Sequence, residues 1–282
     1  MESASGKSAE TFDSALICLD DRFRRWHAVY PFVAAIVILP AAIEPESGTV
    51  ILSRTMGIEN FSLAEHLAER LRDCVPDLPV VVENNARMAA WGEKNGGSCI
   101  GRQNFITLHL TEGRRNGKNI PIGVGSGIVL NGRLYCGSNG GAGELDESCY
   151  RWFDKIYSND RFPISLRELD PKSRQRFASL LGDSFSHLAN YLAPEALSVV
   201  FDQEPAMPDF LEALQRALRS QLLIRHKNSF PMEICPDGVG AIIRGAAALV
   251  REKYFDDSAS FLALLRERLQ PGGDNLPTGK EK

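Results

Sequence analysis

A short polar cluster directly after three valines is the part of this sequence most suited to chemistry. Glu83, Asn84 and Asn85 follow Val80–Val82, and an apolar β-branched run ending in polar residues is typical of a buried parallel strand that opens onto a cleft. A carboxylate at such a strand end can take the proton of a substrate hydroxyl group. Asn84 and Asn85 carry amides, which can donate and accept hydrogen bonds but cannot act as such a base. The two amides therefore predict ligand binding at this strand end.

The elements that would position this cluster alternate between strands and helices. Ser62 and Glu65 have the spacing of a capping box, which predicts a helix whose apolar positions Leu63, Leu67 and Leu71 recur at helical spacing. Apolar runs predict strands at 34–39, 80–82, 105–110, 128–130 and 197–201. This order of elements is that of an α/β protein.

Composition limits the classes of function. A chain of 282 residues with 44% hydrophobic residues can bury a sizeable core and is long enough for two domains. A net charge of -4 gives no general reason to bind phosphate backbones. The longest apolar run, 32–43, is too short to span a bilayer, and residues 3–9 lack the apolar core of a signal peptide. We therefore expect a cytoplasmic protein without a membrane partner.

Several motifs together resemble the ROK family (repressors, open reading frames and kinases). The family turn reads Glu-Asn-Asp-Ala-Asn, and this chain has Glu-Asn-Asn-Ala-Arg at 83–87. Each glycine-rich string alone is a weak signal, but their joint order and spacing are far more specific. The resemblance covers roughly 11–255 and is carried by the segments 36–48, 83–93, 122–132, 140–145 and 245–249.

The resemblance implies a fold and a domain division. The expected fold is α/β, a two-lobed actin-like ATPase (ribonuclease H-like) fold with a truncated N-terminal lobe. Residues 1–97 would form the N-terminal α/β lobe, which the C-terminal helix 242–254 completes. Residues 98–241 would form the larger C-terminal α/β lobe, and the tail 270–282, rich in Pro and Gly, is expected to be disordered.

Measured against a kinase of this family, four catalytic parts differ or are missing. The first phosphate loop, Asp-x-Gly-Gly-Thr, has no counterpart, which a start position chosen too far downstream would also explain. The second carries Glu112 where phosphates would lie, and Asp202 and Gln203 replace the glycine pair of the third. Asn85 replaces the base. Because glycine allows the close backbone approach that nucleotides need, we expect no nucleotide cofactor.

Sugar binding is the activity that the resemblance leaves in place. Asn84 and Glu144 match family positions that hydrogen-bond sugar hydroxyls, and Asn85 and Glu147 are weaker candidates because both depart from the family pattern. Turn formation is the structural alternative for Asn84, and a helix-start interaction is the alternative for Glu144. Glu147 replaces a histidine that ligates zinc in many members, and Cys149 stands alone after it, so no metal is expected.

These observations favour a non-catalytic, ROK-like sugar-binding regulatory or sensor protein related to sugar-responsive transcriptional repressors. The alternative is an ATP-dependent kinase of a hexose or N-acetylamino sugar with shifted catalytic residues, and a third hypothesis is a scaffold that binds neither ligand. DNA would be contacted only through a domain not present in this chain. An exposed strand edge at 34–39 predicts a homo-oligomer.

Overall fold

The computed structural model describes residues 16–17, 21–27, 29–30, 32, 34–53, 56–111, 114–115, 118–119, 122–145, 165–202, 207–223 and 227–255. A helical segment at 21–27 precedes the labelled elements. The strands are β1 (Ala35–Leu39), β2 (Ala42–Glu44), β3 (Thr49–Ser53), β4 (Ile58–Ser62), β5 (Val80–Asn84), β6 (Phe105–Thr111), β7 (Arg114–Arg115), β8 (Lys118–Asn119), β9 (Gly123–Leu130), β10 (Arg133–Tyr135), β11 (Ala196–Phe201) and β12 (Met232–Cys235). The helices are α1 (Leu63–Leu71), α2 (Asn85–Gly96), α3 (Pro171–Leu192), α4 (Pro208–Gln221) and α5 (Gly238–Phe255).

Two small sheets form the first part of the chain. β1 pairs with β5 in parallel, with Val37 opposite Val82, and β2, β3 and β4 form an antiparallel sheet beside them. The predicted strands at 34–39 and 80–82 are confirmed, and β5 extends to Asn84. The polar cluster therefore lies where β5 ends and α2 begins.

A five-stranded sheet in the order β10-β9-β6-β11-β12 forms the second part. β6 and β11 run parallel, whereas β9 is antiparallel to β6. Leu108 and Val199 pack on one face with Phe177 of α3 and Leu214 of α4, while Phe105 packs on the other face with α2 and α5. Every residue of β11 is buried, as a central strand covered on both faces should be.

Glycines allow α2 to lie unusually close to its neighbours. A Cβ atom at Gly127 in β9 would lie 2.6 Å from the carbonyl oxygen of Ala86, and one at Gly245 in α5 would lie 1.9 Å from that of Met88. Gly127 and Gly245 therefore permit the backbones of β9 and α5 to pack closely on that of α2. Helix α2 is held between β9 and α5.

One local prediction, the capping box at the start of α1, needs correction. Ser62 is the N-cap residue of α1, but its side chain makes no capping hydrogen bond, so the predicted capping box is wrong. The reason is that Ser62 still pairs with Thr49 as the last residue of β4, which leaves its backbone at ψ 72 instead of the extended value that caps favour. Leu63, Leu67 and Leu71 are buried as predicted.

The remaining expectations concern the chain ends and membranes. Helix α5 spans Gly238–Phe255 and so includes the predicted helix at 242–254. The tail at 270–282 lies outside the described residues. None of the helices in the described ranges is long and apolar enough to cross a membrane.

The glycine contact between α2 and α5 yields a stability prediction. Gly245→Ala should lower the free energy of unfolding by about 1–3 kcal/mol, because the new methyl group would press on backbone rather than on a movable side chain. Gly96→Ala is the control, since its methyl group would meet the flexible end of Arg244 at 3.1 Å. Urea denaturation measures both, and equal stability of the two variants would contradict this account.

Candidate functional site

Asn84 connects the end of β5 to the start of α2. Its Oδ1 accepts a hydrogen bond from the backbone N–H of Arg87 at 2.9 Å, and its Nδ2 donates to the carbonyl oxygen of Ala41 at 2.8 Å. The side chain is therefore the N-cap of α2 and also fixes the turn between β1 and β2. Within the described residues these contacts use one N–H bond and one lone pair of the amide, which leaves the other N–H bond and lone pair for a ligand.

Asn85 is the first residue of α2 and is half-buried. A helix begins with unpaired backbone N–H groups and a partial positive charge, so acceptor groups of a ligand are favoured there. The amide adds a donor and an acceptor at this point but no titratable charge. The arrangement can bind a hydroxyl group without removing its proton.

Glu83, the carboxylate at the start of the cluster, forms an ion pair with Arg87. Arg87 Nε lies 2.9 Å from Glu83 Oε2, and the backbone N–H of Asn84 donates to the same oxygen at 2.8 Å. Glu83 is 3% exposed and Arg87 is 1% exposed. Burial raises the pKa of Glu83, and the Arg87 charge and the Asn84 N–H oppose that rise.

Arg87 also reaches two backbone carbonyl groups on distant segments. Its Nη2 donates to Ile43 of β2 at 2.9 Å, and its Nη1 donates to Gly140 at 3.4 Å. Cys136 lies at the beginning of the same segment, where burial raises the pKa of its thiol and Arg87 acts in the opposite direction. One buried guanidinium thus joins β2, the β5–α2 turn and the segment 136–145.

The structure places Glu144 at the end of that segment. Its side chain is exposed, and its backbone N–H donates to the carbonyl oxygen of Gly141 at 3.3 Å. The segment rests on β9, since a Cβ at Gly143 would lie 2.4 Å from the carbonyl oxygen of Ser126. Glu147 lies outside the described residues. Asn84, Asn85 and Glu144 are therefore on segments that Arg87 joins, whereas the geometry of Glu147 is not described.

A second polar group lies at the carboxyl end of β11, in the five-stranded sheet. Asp202 follows β11, and its Oδ1 lies 2.6 Å from Nε2 of the buried His109 on β6. A Cβ at Gly238, where α5 begins, would lie 2.5 Å from the same oxygen. A carboxylate therefore fills the strand end where the resemblance implies a glycine pair. Glu112 and Gln203 lie outside the described residues.

Metal ligands do not converge within the part of the chain that the structure describes. No group of three His, Cys, Asp or Glu side chains there could hold a metal ion. Glu147 and Cys149, the positions that bear on the family's zinc site, fall in the range 146–164, which is not described. The expectation of no metal remains a prediction.

Sequence reasoning missed the pairing of Glu83 with Arg87. Glu83 lies in β5 and Arg87 in the first turn of α2, so the helical spacing rule does not apply to them. The apolar residues on both sides did indicate that two opposite charges there would be buried and would need each other. The two carbonyl partners could not be found in this way, because they lie 44 and 53 residues away along the chain. The His109–Asp202 contact spans 93 residues and was also missed.

Comparison with known proteins identifies the family signal. The ROK family matches residues 22–146. A glucokinase of Halalkalibacterium halodurans is 35% identical over 106 residues, which cover 38% of this chain and 28% of that protein. A xylose repressor of Caldicellulosiruptor bescii is 30% identical over 120 residues, covering 43% and 26%. The chain therefore spans less than a third of the length of these relatives, and the ROK resemblance is confirmed.

Solved structures agree on the fold. A ROK family transcriptional regulator, a homologue of the Escherichia coli MLC protein, aligns with a TM-score of 0.63 and 17% identity over 90% of this chain and 71% of its own. A ROK hexokinase from Thermus thermophilus aligns with a TM-score of 0.56 and 20% identity over 78% of each chain. The predicted α/β actin-like fold is confirmed.

The buried pair predicts a pH-dependent stability change. Arg87→Met should cost about 3–5 kcal/mol near neutral pH, because it leaves the Glu83 carboxylate buried without its partner. Without Arg87, the folded-state pKa of Glu83 should rise further. The folded protein then loses stability as the pH rises through that pKa, so the deficit should be larger at about pH 8 than at about pH 5.

The control for this experiment is another Arg–Glu pair. Arg102 pairs with Glu233, and both side chains are partly exposed, at 26% and 31%. Arg102→Met should therefore cost about 1 kcal/mol or less. Urea denaturation of both variants at the two pH values measures the effect, and a deficit for Arg87→Met that shrinks as pH rises would refute the assignment.

Proposed function

We propose that this chain, which carries the ROK family match at 22–146, is a sugar-binding regulatory protein that does not phosphorylate its ligand. The observation that carries the proposal is the composition of the β5–α2 turn. The position of the base is an amide, Asn85, and the carboxylate of the same turn, Glu83, is held in a buried ion pair with Arg87. A sugar hydroxyl bound there meets hydrogen-bonding groups but no free base in the turn.

Charge at the nucleotide end supports the same conclusion. Asp202 follows β11 with its carboxylate against His109. The exposed Asp237, just before α5, accepts a hydrogen bond from the N–H of Gly240 and lies 3.5 Å from Nη1 of Arg244. A triphosphate placed at these strand ends would meet negative charge, and close contacts between like charges are unfavourable. Kinases instead place backbone amides, lysine and magnesium at the phosphates.

The matched relatives support a monosaccharide as the ligand. One is named a glucokinase and another a xylose repressor, so a sugar is what both names share. Under this proposal the sugar contacts come from Asn84, Asn85, Glu144 and Glu147, and the protein acts in the cytoplasm. DNA contact, where the regulatory output is transcriptional, is assigned to a different domain or chain.

A ligand screen tests the proposal directly. Thermal shifts with pentoses, hexoses and N-acetylated amino sugars should reveal at least one stabilising sugar, because a ligand at about 100 times its Kd adds roughly 2.7 kcal/mol. Glu144→Gln should lower the affinity for that sugar by about tenfold or more, because a charge-assisted hydrogen bond is lost. Glu65→Gln, an exposed change on α1, is the control and should leave affinity unchanged.

Phosphate transfer separates the regulatory proposal from the kinase alternative. Neither the native chain nor Asn85→Asp should transfer labelled phosphate from ATP–magnesium to the sugar, because Asp202 and Asp237 still oppose the nucleotide. If the nucleotide site were intact, restoring the base should raise the rate by about 10²–10⁴-fold. Any such gain in Asn85→Asp would establish a kinase with a damaged base, and no thermal shift with any sugar would favour a scaffold.

We also propose that the chain forms a homo-oligomer through the edge of β1. Within the described residues β1 pairs only with β5, and its residues Ile36, Val37 and Ile38 are only half-buried. Apolar parallel strands are normally covered on both sides, and an open edge invites another strand. Light scattering at low protein concentration should give at least the mass of a dimer, and a monomer would contradict this proposal.

A further inference from the structure

We propose that Arg87 is a positioning residue that holds the segment 136–145, and with it Glu144, in the ligand-binding arrangement before any ligand arrives. The positioning step concerns the ligand-free protein, and only its effect on sugar affinity rests on the proposed function. Three independent contacts carry the inference: the buried guanidinium, the fit of Gly140 against β2, and the seat of Gly143 on β9.

Each of the three guanidinium nitrogens of Arg87 faces a different partner. Nε faces Glu83 at 2.9 Å, Nη2 donates to Ile43 and Nη1 donates to Gly140. With 1% of its surface exposed, Arg87 is not available to contact a ligand. A planar fork with fixed donor directions suits this task, whereas a lysine ammonium could keep the charge but could not span three partners.

Gly140 fits against β2 without room for a side chain. A Cβ there would lie 1.8 Å from the carbonyl oxygen of Ile43, and the residue has φ +67, a conformation that favours glycine. A Cβ on the neighbouring Gly141 would meet no atom within 4 Å, and the φ of that residue is not positive. Two adjacent glycines therefore differ in whether they contact β2, which supplies a matched pair for experiment.

The rest of the segment is braced by its own backbone and by β9. The N–H of Ala142 donates to the carbonyl oxygen of Cys136 at 3.1 Å, which closes the segment into a turn. Gly143, with φ +89, rests on Ser126. These contacts order the segment when the protein folds, so sugar binding need not supply the conformational entropy of ordering it. The apparent affinity is then not lowered by a fraction of molecules whose segment is in a conformation that cannot bind.

Amide hydrogen exchange of the ligand-free protein tests the positioning step. Gly140→Ala should raise exchange at residues 140–145 by about tenfold or more, since its methyl group forces the segment off β2. Gly141→Ala should leave exchange unchanged. Gly101→Ala reproduces the strain of a positive φ at a site with no atom within 4 Å of the added group, and it should not affect residues 140–145.

Arg87→Lys provides the second variant, because it keeps a cation beside Glu83 while removing the fork. It should raise exchange in 140–145 but not in β6 or β11, whereas a purely structural role would raise exchange across the whole fold. Equal exchange at 140–145 in Gly140→Ala and Gly141→Ala would overturn the positioning proposal, as would a uniform rise in Arg87→Lys.

Sugar affinity provides the arm that depends on the proposed function. For the sugar identified by thermal shift, Gly140→Ala should bind about tenfold more weakly than Gly141→Ala in titration calorimetry. If the native chain binds no sugar, the proposed function fails while the exchange result still decides the positioning step. If the sugar binds equally to both variants although exchange differs, the segment is ordered by Arg87 but does not contact the ligand, and the inference about Glu144 is overturned.

Discussion

The buried pair of Glu83 and Arg87 is the constraint on which the candidate site depends. Removing two charges from water costs several kcal/mol for each ion, and that cost must be offset by close partners. The partners here are the Asn84 N–H and the carbonyl groups of Ile43 and Gly140. Satisfying one guanidinium therefore brings β2, the β5–α2 turn and the segment 136–145 to a single point in space.

The same requirement determines which groups remain for chemistry. Glu83 directs its charge at Arg87, and Asn84 uses one donor and one acceptor on the helix cap and the Ala41 turn. At the carboxyl end of β11, in the five-stranded sheet, Asp202 contacts His109. These charged groups near the strand ends are thus engaged with the protein itself, and the amide of Asn85 remains at the β5–α2 turn. That distribution favours recognition of hydroxyl groups over transfer of a phosphoryl group.

Much of the fold was predictable because its signals are local. The valines of β5 form a continuous apolar run, and the leucines of α1 recur at helical spacing. Both patterns follow directly from which residues must be buried. The strands β2 and β4 were missed because β2 has only three residues and β4 is mostly exposed, so no apolar run marks them. β3 was missed although residues 50–52 form such a run. The capping box failed because strand pairing at Ser62 competed with the cap. Partners of Arg87 and His109 were missed because they are distant in sequence, and spacing carries no information about such contacts.

Glycines show why motif reading alone cannot distinguish a binding protein from an enzyme. A glycine records only that a Cβ is absent, not what occupies the space. At Gly127 and Gly140 the space is filled by backbone of α2 and β2, which any chain with this architecture requires. Beside Gly238 that space holds the Asp202 carboxylate. The glycines therefore report how closely these elements pack, and the charged groups beside them have to be identified before a ligand can be inferred.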